Sequence, residues 1–189
     1  MQGGKVIGTE LDNGETIGAD LVINVNGPWC NDILAALGLD HYWPLKPTRI
    51  QVLHIERPAG LTGRIPVCCD SVSGIYFREQ GQQIIIGSAR EEDEREIVDP
   101  SNYKDWVDED FKAARLHGFA HRFPNLPPNL KVFSYTGLYT VNQKDVHPVV
   151  GKTSVPGFYL ANGFSGHGFK IAPAVGALLA REITGAKSG

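Results

Sequence analysis

Phe158-Tyr159-Leu160-Ala161-Asn162-Gly163-Phe164-Ser165-Gly166-His167-Gly168-Phe169-Lys170 is the stretch on which the reading of the chain turns. Phe158 to Ala161 predicts a buried strand, and the glycines at 163, 166 and 168 predict a turn. An apolar helix is expected from near Lys170, with Ile171, Ala174, Val175, Leu178, Leu179 and Ile183 making one apolar face. Pro173 suits a first turn, and Gly185 suits a stop. Such a strand, glycine turn and helix start bring backbone N–H groups close to an electron-rich ligand. Lys170 is the odd residue. A cation there opposes the helix dipole by a few tenths to about 1 kcal/mol, which points to an anion beside it. A solvated surface lysine is the plainer alternative.

The chain has 189 residues, 42% hydrophobic and 21% charged, a normal composition for one or two compact units. A net charge of −3 without a basic cluster argues against a nucleic-acid partner. No apolar run is long enough for a membrane span, and no secretory leader is visible. Cys30, Cys68 and Cys69 have neither metal-ligand spacing nor a disulfide framework, so reduced thiols, a cytoplasmic location and no metal site are expected.

From the amino end, Val6 to Leu11 and Glu15 to Ile17 flank Asp12-Asn13-Gly14 as a hairpin, and Leu21 to Val25 follows as a buried strand. That strand runs into Asn26-Gly27-Pro28-Trp29, where a strand-ending turn is the base-rate reading of Gly-Pro. Asn31 to Leu37 predicts a short helix closed by Gly38. Pro47 to Glu56, Arg64 to Asp70, Gly74 to Arg78 and Gln83 to Ser88 predict an antiparallel sheet. The charge run Glu91 to Glu96 reads as solvated. Asp108 is expected to cap a helix that turns Phe111, Ala114 and Phe119 inward, before a proline-rich loop from Pro124 to Pro128. Lys131 to Thr140 predicts a further strand.

The segment Gly157 to Lys170, with the Ala-Pro-Ala-Val-Gly that follows, resembles the carboxyl-terminal flavin-contacting segment of the D-amino acid oxidase superfamily. The sarcosine oxidase, glycine oxidase and dimethylglycine dehydrogenase branches are the most similar in pattern. The resemblance implies an α+β fold: an antiparallel substrate-domain sheet with helices, and the carboxyl-terminal remnant of a Rossmann-like FAD-binding domain. It implies FAD-binding remnants over residues 1–43 and 141–189 around a substrate domain over 44–140. FAD is the implied cofactor, with Gly27, Trp29, Gly137, Gly163, Phe164, Ser165, Gly166, His167, Gly168 and Phe169 against it.

For chemistry, the resemblance implies oxidation of the C–N bond of a small amino acid or N-methyl amino acid. A hydride equivalent reaches flavin N5, and donors at 166 to 169 stabilise the charge that grows at N1 and O2. Lys170 pairs with the substrate carboxylate, Tyr139 flanks the substrate chain, and Tyr76 faces the site from its strand. Gly137 stands where monomeric sarcosine oxidases carry a flavin-linking cysteine, so covalent attachment at that position is excluded. Leu138 stands near where glycine oxidases place a carboxylate-binding arginine, and Gln83 to Gly87 lacks the oxygen-activating lysine of sarcosine oxidases. Oxidase and dehydrogenase both remain open.

No G-x-G-x-x-G turn occurs in the sequence, although a dinucleotide domain needs one. The resemblance therefore covers a carboxyl half. Two readings stand together: part of a working flavoenzyme, or a fragment that is inert until a complementary chain supplies the glycine-rich half.

Overall fold

The computed structural model describes residues 1–127 and 129–185, so Pro128, the last residue of the expected proline-rich loop, lies outside them. The chain divides into two compact units, Met1–Pro47 with Tyr139–Gly189, and Thr48–Leu138.

In the first unit a hairpin of β1 (Gly8–Glu10) and β2 (Thr16–Gly18) precedes β3 (Val22–Asn24). A single 3-10 turn, Gly27–Trp29, then leads into α1 (Cys30–Ala36), which ends at Gly38 with φ of 67°. The predicted strand-ending turn at Gly27 is thus wound into the start of a helical segment. Late in the chain come β9 (Val149–Lys152) and β10 (Phe158–Asn162), followed by α3 (Gly168–Thr184). β10 lies in the middle of a three-stranded sheet, parallel to β3 and antiparallel to β9. Phe158 and Leu160 fall on its buried side and pack with Val6, Cys30, Leu34, Leu39 and Leu45. Burial pushes the Cys30 thiol up to about 11, so it is an inert core residue.

The second unit is built on a five-stranded sheet. β4 (Leu45–Glu56) starts in the first unit and continues here, joined by β5 (Cys68–Asp70), β6 (Ile75–Gln80), β7 (Gln83–Ser88) and β8 (Val132–Asn142). The order is β5-β6-β7-β4-β8, with antiparallel β5–β6, β6–β7 and β7–β4 pairs. Alternation sends Leu53, Ile55, Ile75, Phe77, Ile84 and Ile86 into one core beneath α2 (Glu109–Arg122). There Phe77 meets Phe119 edge-on at a centroid distance of 5.3 Å.

Several expectations are corrected here. The predicted Arg64–Asp70 strand shrinks to Cys68–Asp70, in keeping with Pro66, which has no N–H to give a ladder. Asp108 sits at the α2 N-cap without capping it by its side chain. Its carboxylate instead accepts from Arg49 at 3.0 Å, from Gln51 at 3.2 Å and from Lys104. Ala114 faces solvent and Arg115 is buried in its stead, donating to the Gly74 carbonyl at 2.7 Å and Asp93 at 3.0 Å. The Glu91–Glu96 run is therefore more than a solvated face, since Asp93 neutralises Arg115 and Glu96 bonds Arg49 at 2.7 Å. α3 begins at Gly168, two residues before Lys170, and of its apolar face only Leu179 is buried.

Arg49 organises this unit. Its side chain is fully buried, donating to the Lys104 and Trp106 carbonyls as well as to Glu96 and Asp108. Burial works against its charge, yet the bonds from Glu96 and Asp108 outweigh that and hold the guanidinium above its ordinary range. Removing one partner of such a pair strands the other charges, so Arg49→Met should cost about 3 kcal/mol in urea unfolding. A loss under about 1 kcal/mol would mean the clamp is ornamental.

A second ion pair sets an acid limit. The Arg122 guanidinium, 2.6 Å away, holds the Asp70 carboxyl well below the usual carboxylate range, helped by the Ser73 and Val72 amides. A lowered folded value stabilises the protein above the unfolded value, near 3.9, and that contribution fades as pH falls beneath it. Asp70→Asn should flatten the acid arm of a stability-versus-pH curve below about pH 4. An unchanged acid arm would show the pair to be uncoupled from folding.

Candidate functional site

Two turns at the carboxyl ends of the parallel strands β3 and β10 carry the candidate site. Each strand ends in a buried asparagine, Asn24 at 1% exposure and Asn162 at 2%. Asn162 Nδ2 donates to the Gly27 carbonyl at 3.1 Å, while its Oδ1 accepts from Gly163 N at 2.8 Å. Asn24 Nδ2 donates to the Cys30 carbonyl at 3.0 Å, and its Oδ1 accepts from Asn26 N at 3.2 Å. These amides satisfy backbone groups that the strand ends leave over, and they tie Gly27 to the Gly163 turn.

The Gly163–Gly168 turn is held from a second side by the end of β8. Ser165 N donates to the Thr140 carbonyl at 3.0 Å, Asn142 N donates to Ser165 Oγ at 3.1 Å, and Val141 bridges Phe164. Gly166 has φ of 82°, and a Cβ there would lie 2.6 Å from the Tyr139 ring. Glycine at 166 is thus required by both conformation and packing, and it brings Tyr139 against the turn. Ser165 is also left-handed, at φ of 48°, stabilised where its Oγ donates to the Gly163 carbonyl at 3.2 Å.

Beyond the turn, His167 stands at the α3 N-cap position without capping by its side chain. His167, Phe169 and Lys170 are all exposed, and Phe169 is 99% so. Amides 168 to 170 have no acceptor within their own helix, which makes this end a place for a partly negative group. The turn therefore fits contact with an electron-rich ring system. Thr140 is 6% exposed and its Oγ1 has no partner among the described residues, a spare hydroxyl beside the same turn.

The remaining predicted residues are placed elsewhere. Trp29 is 44% exposed at the end of the 3-10 turn, next to Gly27. Gly137 belongs to the second unit, and nothing lies within 4 Å of where its Cβ would be. Tyr76 also belongs to the second unit, on the face of β6 opposite the core, with its ring across Gly87 of β7. A cross-strand glycine lets that ring lie flat on the sheet.

No sequence signal marked Asn24, Asn142, Thr140 or His54. Asn142, 5% exposed, donates to Asp145 Oδ1 at 3.0 Å and to the His147 carbonyl at 2.8 Å, closing the loop after β8. His54 shares Tyr76's face of the second sheet: its Nδ1 lies 3.1 Å from Gln83 Oε1 and its ring 5.3 Å from Tyr135, while its Nε2 is buried without a partner among the described residues.

Residues 1–182 match the DAO family, described as FAD dependent oxidoreductase. FAD-dependent oxidoreductase domain-containing protein 1 of Xenopus laevis is 34% identical over 181 residues, covering 89% of this chain and 36% of its own length. The uncharacterized oxidoreductase YurR of Bacillus subtilis is 26% identical, with 98% of this chain matched and 47% of that protein. Among solved structures, L-proline dehydrogenase from P. horikoshii superposes with a TM-score of 0.82 at 27% identity, over 99% of this chain and 48% of that one. A glycine oxidase from Bacillus cereus shares the fold at a TM-score of 0.72, over 100% of this chain and 49% of that one, at 17% identity. The chain thus spans between about a third and a half of the relatives it matches. It belongs to the DAO family of FAD-dependent oxidoreductases, and FAD is the cofactor of that family.

Proposed function

We propose that these residues form the flavin- and substrate-contacting part of an oxidoreductase that breaks a C–H bond next to nitrogen in a small amino acid or N-methyl amino acid. The observation that carries this reading is the Gly163–Gly168 turn, which packs Tyr139 beside an open helix start with an exposed lysine. FAD, when bound, supplies the acceptor for the hydride equivalent. Phe164 to Phe169, with Gly27 and Trp29, would hold it, and the amides at 166 to 169 would favour negative charge at their end of the helix. Lys170 fixes the substrate carboxylate by a charge-assisted bond, and the Tyr139 ring limits the room beside the carbon chain. The name of the 27%-identical structure, L-proline dehydrogenase, supports an amino acid whose nitrogen is substituted.

A specific observation favours a second reading alongside this one. Residues 1–189 hold no glycine-rich dinucleotide fingerprint, so on their own they would be inert and would work only with a complementary half.

Visible absorption of the purified protein separates the two readings. A flavin band supports an intact site; colourless protein that gains no affinity for added FAD supports the need for a complement. In flavin-loaded protein, Lys170→Met should raise KM by about ten- to a hundredfold, the loss of a charge-assisted bond of roughly 1.5 to 3 kcal/mol, with little change in kcat. An unaltered KM removes Lys170 from the site. Gly166→Val should drive a side chain into the Tyr139 ring and abolish flavin uptake, and a thermal melt run in parallel tells a lost site from a lost fold. Undiminished flavin content with an intact fold would detach the turn from the cofactor.

A further inference from the structure

The dipeptide Asn-Gly occurs three times in the first unit, at Asn13-Gly14, Asn26-Gly27 and Asn162-Gly163, and the fold treats the three differently. We propose that Asn13 is a spontaneous modification site, where the carboxamide is lost and an aspartyl or isoaspartyl residue takes its place, while Asn26 and Asn162 are held as amides. An isoaspartyl residue at an exposed hairpin tip is in turn the chemistry that a methyl-transferring repair enzyme recognises.

The step requires an unhindered amide nitrogen after the asparagine, a side-chain carbonyl carbon within its reach, and water. Gly14 has no side chain to block the approach and sits at φ of 82° with nothing within 4 Å of where a Cβ would be. Asn13 folds its carboxamide back over the turn, Oδ1 accepting from Glu15 N at 2.9 Å. This Asx turn keeps Cγ on the side of the Gly14 nitrogen, and the donated bond draws electrons from the carbonyl, which makes Cγ more electrophilic. Gly14 N loses its proton to water or hydroxide and bonds to Cγ; the Cγ–Nδ2 bond breaks and ammonia leaves carrying a proton. Water then opens the cyclic imide at either carbonyl, to aspartate or isoaspartate, and no oxidant or reductant enters. One bond opposes the step, from Gly14 N to the Leu11 carbonyl at 2.8 Å. It belongs to a two-stranded hairpin of three residues a strand, exposed throughout residues 11–18, so it opens readily.

The other two pairs lack that freedom. Asn162 is 2% exposed, its Oδ1 accepts from Gly163 N at 2.8 Å and its Nδ2 donates to the Gly27 carbonyl at 3.1 Å. Attack there would give up both bonds at a place water does not reach. Asn26 is exposed, but its backbone is wound into the start of the 3-10 turn at ψ of 8°. Its N–H donates to Asn24 Oδ1 at 3.2 Å and its carbonyl accepts from Trp29 N at 3.2 Å, so the peptide that would have to swing Gly27 N toward the side chain is pinned on both sides. Conversion at Asn13 adds a negative charge to a chain whose net charge is −3. The isoaspartyl form also lengthens the backbone by a carbon inside the turn that Leu11 N closes on the Glu15 carbonyl at 2.8 Å, which loosens the β1–β2 register.

Ageing the whole 189-residue chain at mildly alkaline pH, followed by digestion and mass spectrometry, tests this beside a synthetic peptide of residues 9–17. Peptides with Asn13 should gain the mass difference between amide and acid within tenfold of the free peptide's rate, and Asn26 and Asn162 should convert at least tenfold more slowly than Asn13. In denaturing urea the three rates should converge. Protein L-isoaspartyl methyltransferase with a labelled methyl donor should mark the aged chain, and Asn13→Gln should remove most of that label without shifting the melting temperature. Hydrogen exchange in aged protein should quicken over residues 8–18 alone. The proposal is overturned if Asn13 remains an amide after the free peptide has converted, if Asn26 or Asn162 keeps pace with it in the folded chain, if the order of the three survives in urea, or if the methyl label persists in Asn13→Gln.

Discussion

The first unit depends on a hydrogen bond between residues 135 positions apart, from Asn162 Nδ2 to the Gly27 carbonyl. β3 and β10 are brought side by side by burial of Phe158 and Leu160, but burial alone does not say where the chain goes after a strand ends. The asparagine amides settle that by satisfying the last backbone groups of both strands at once. A buried amide left without partners costs about 1 to 3 kcal/mol, so each tie is as much a ban on other loop courses as a gain. What the two turns share is therefore a common anchor.

The second unit reaches the same end by charge. Arg49 lies on the α2-facing side of β4 and is enclosed, so every donor it carries needs an acceptor. Those acceptors come from Glu96, Lys104, Trp106 and Asp108, all in the segment that precedes α2. Asp108 shows what the arrangement costs: its carboxylate neutralises Arg49 and Lys104 and so cannot cap the helix. The helix start accepts a weaker cap so that the sheet can hold an arginine.

How much was legible follows from which forces are local. The order of strand, turn and helix from Phe158 onward could be read because glycines and apolar runs act within a few residues. The hairpin turn at Asn13-Gly14 and the sheet strands from Gly74 to Ser88 were legible for the same reason. Ala114 was misread because a period of 3.6 cannot tell which of two adjacent residues has a distant acid waiting; Asp93 draws Arg115 in and turns Ala114 out. Thr140 and His54 carried no signal, since an orphaned polar atom exists only once the fold has closed around it. Gly166 was legible as a glycine needing freedom, while its partner Tyr139, 27 residues earlier, was reachable only through the family resemblance.

α3 makes the limit of periodicity plain. Its apolar residues recur as they would on a helix seated against a core, yet within residues described here the helix is mostly bare. Sequence pattern reports the environment a helix was shaped for, and exposure reports the environment it has. Where both agree, as at Phe111 and Phe119 of α2, the core is local. Where they disagree, as at Leu178, 60% exposed on α3, the helix leaves apolar area in water at a cost of roughly 25 cal/mol for each Å².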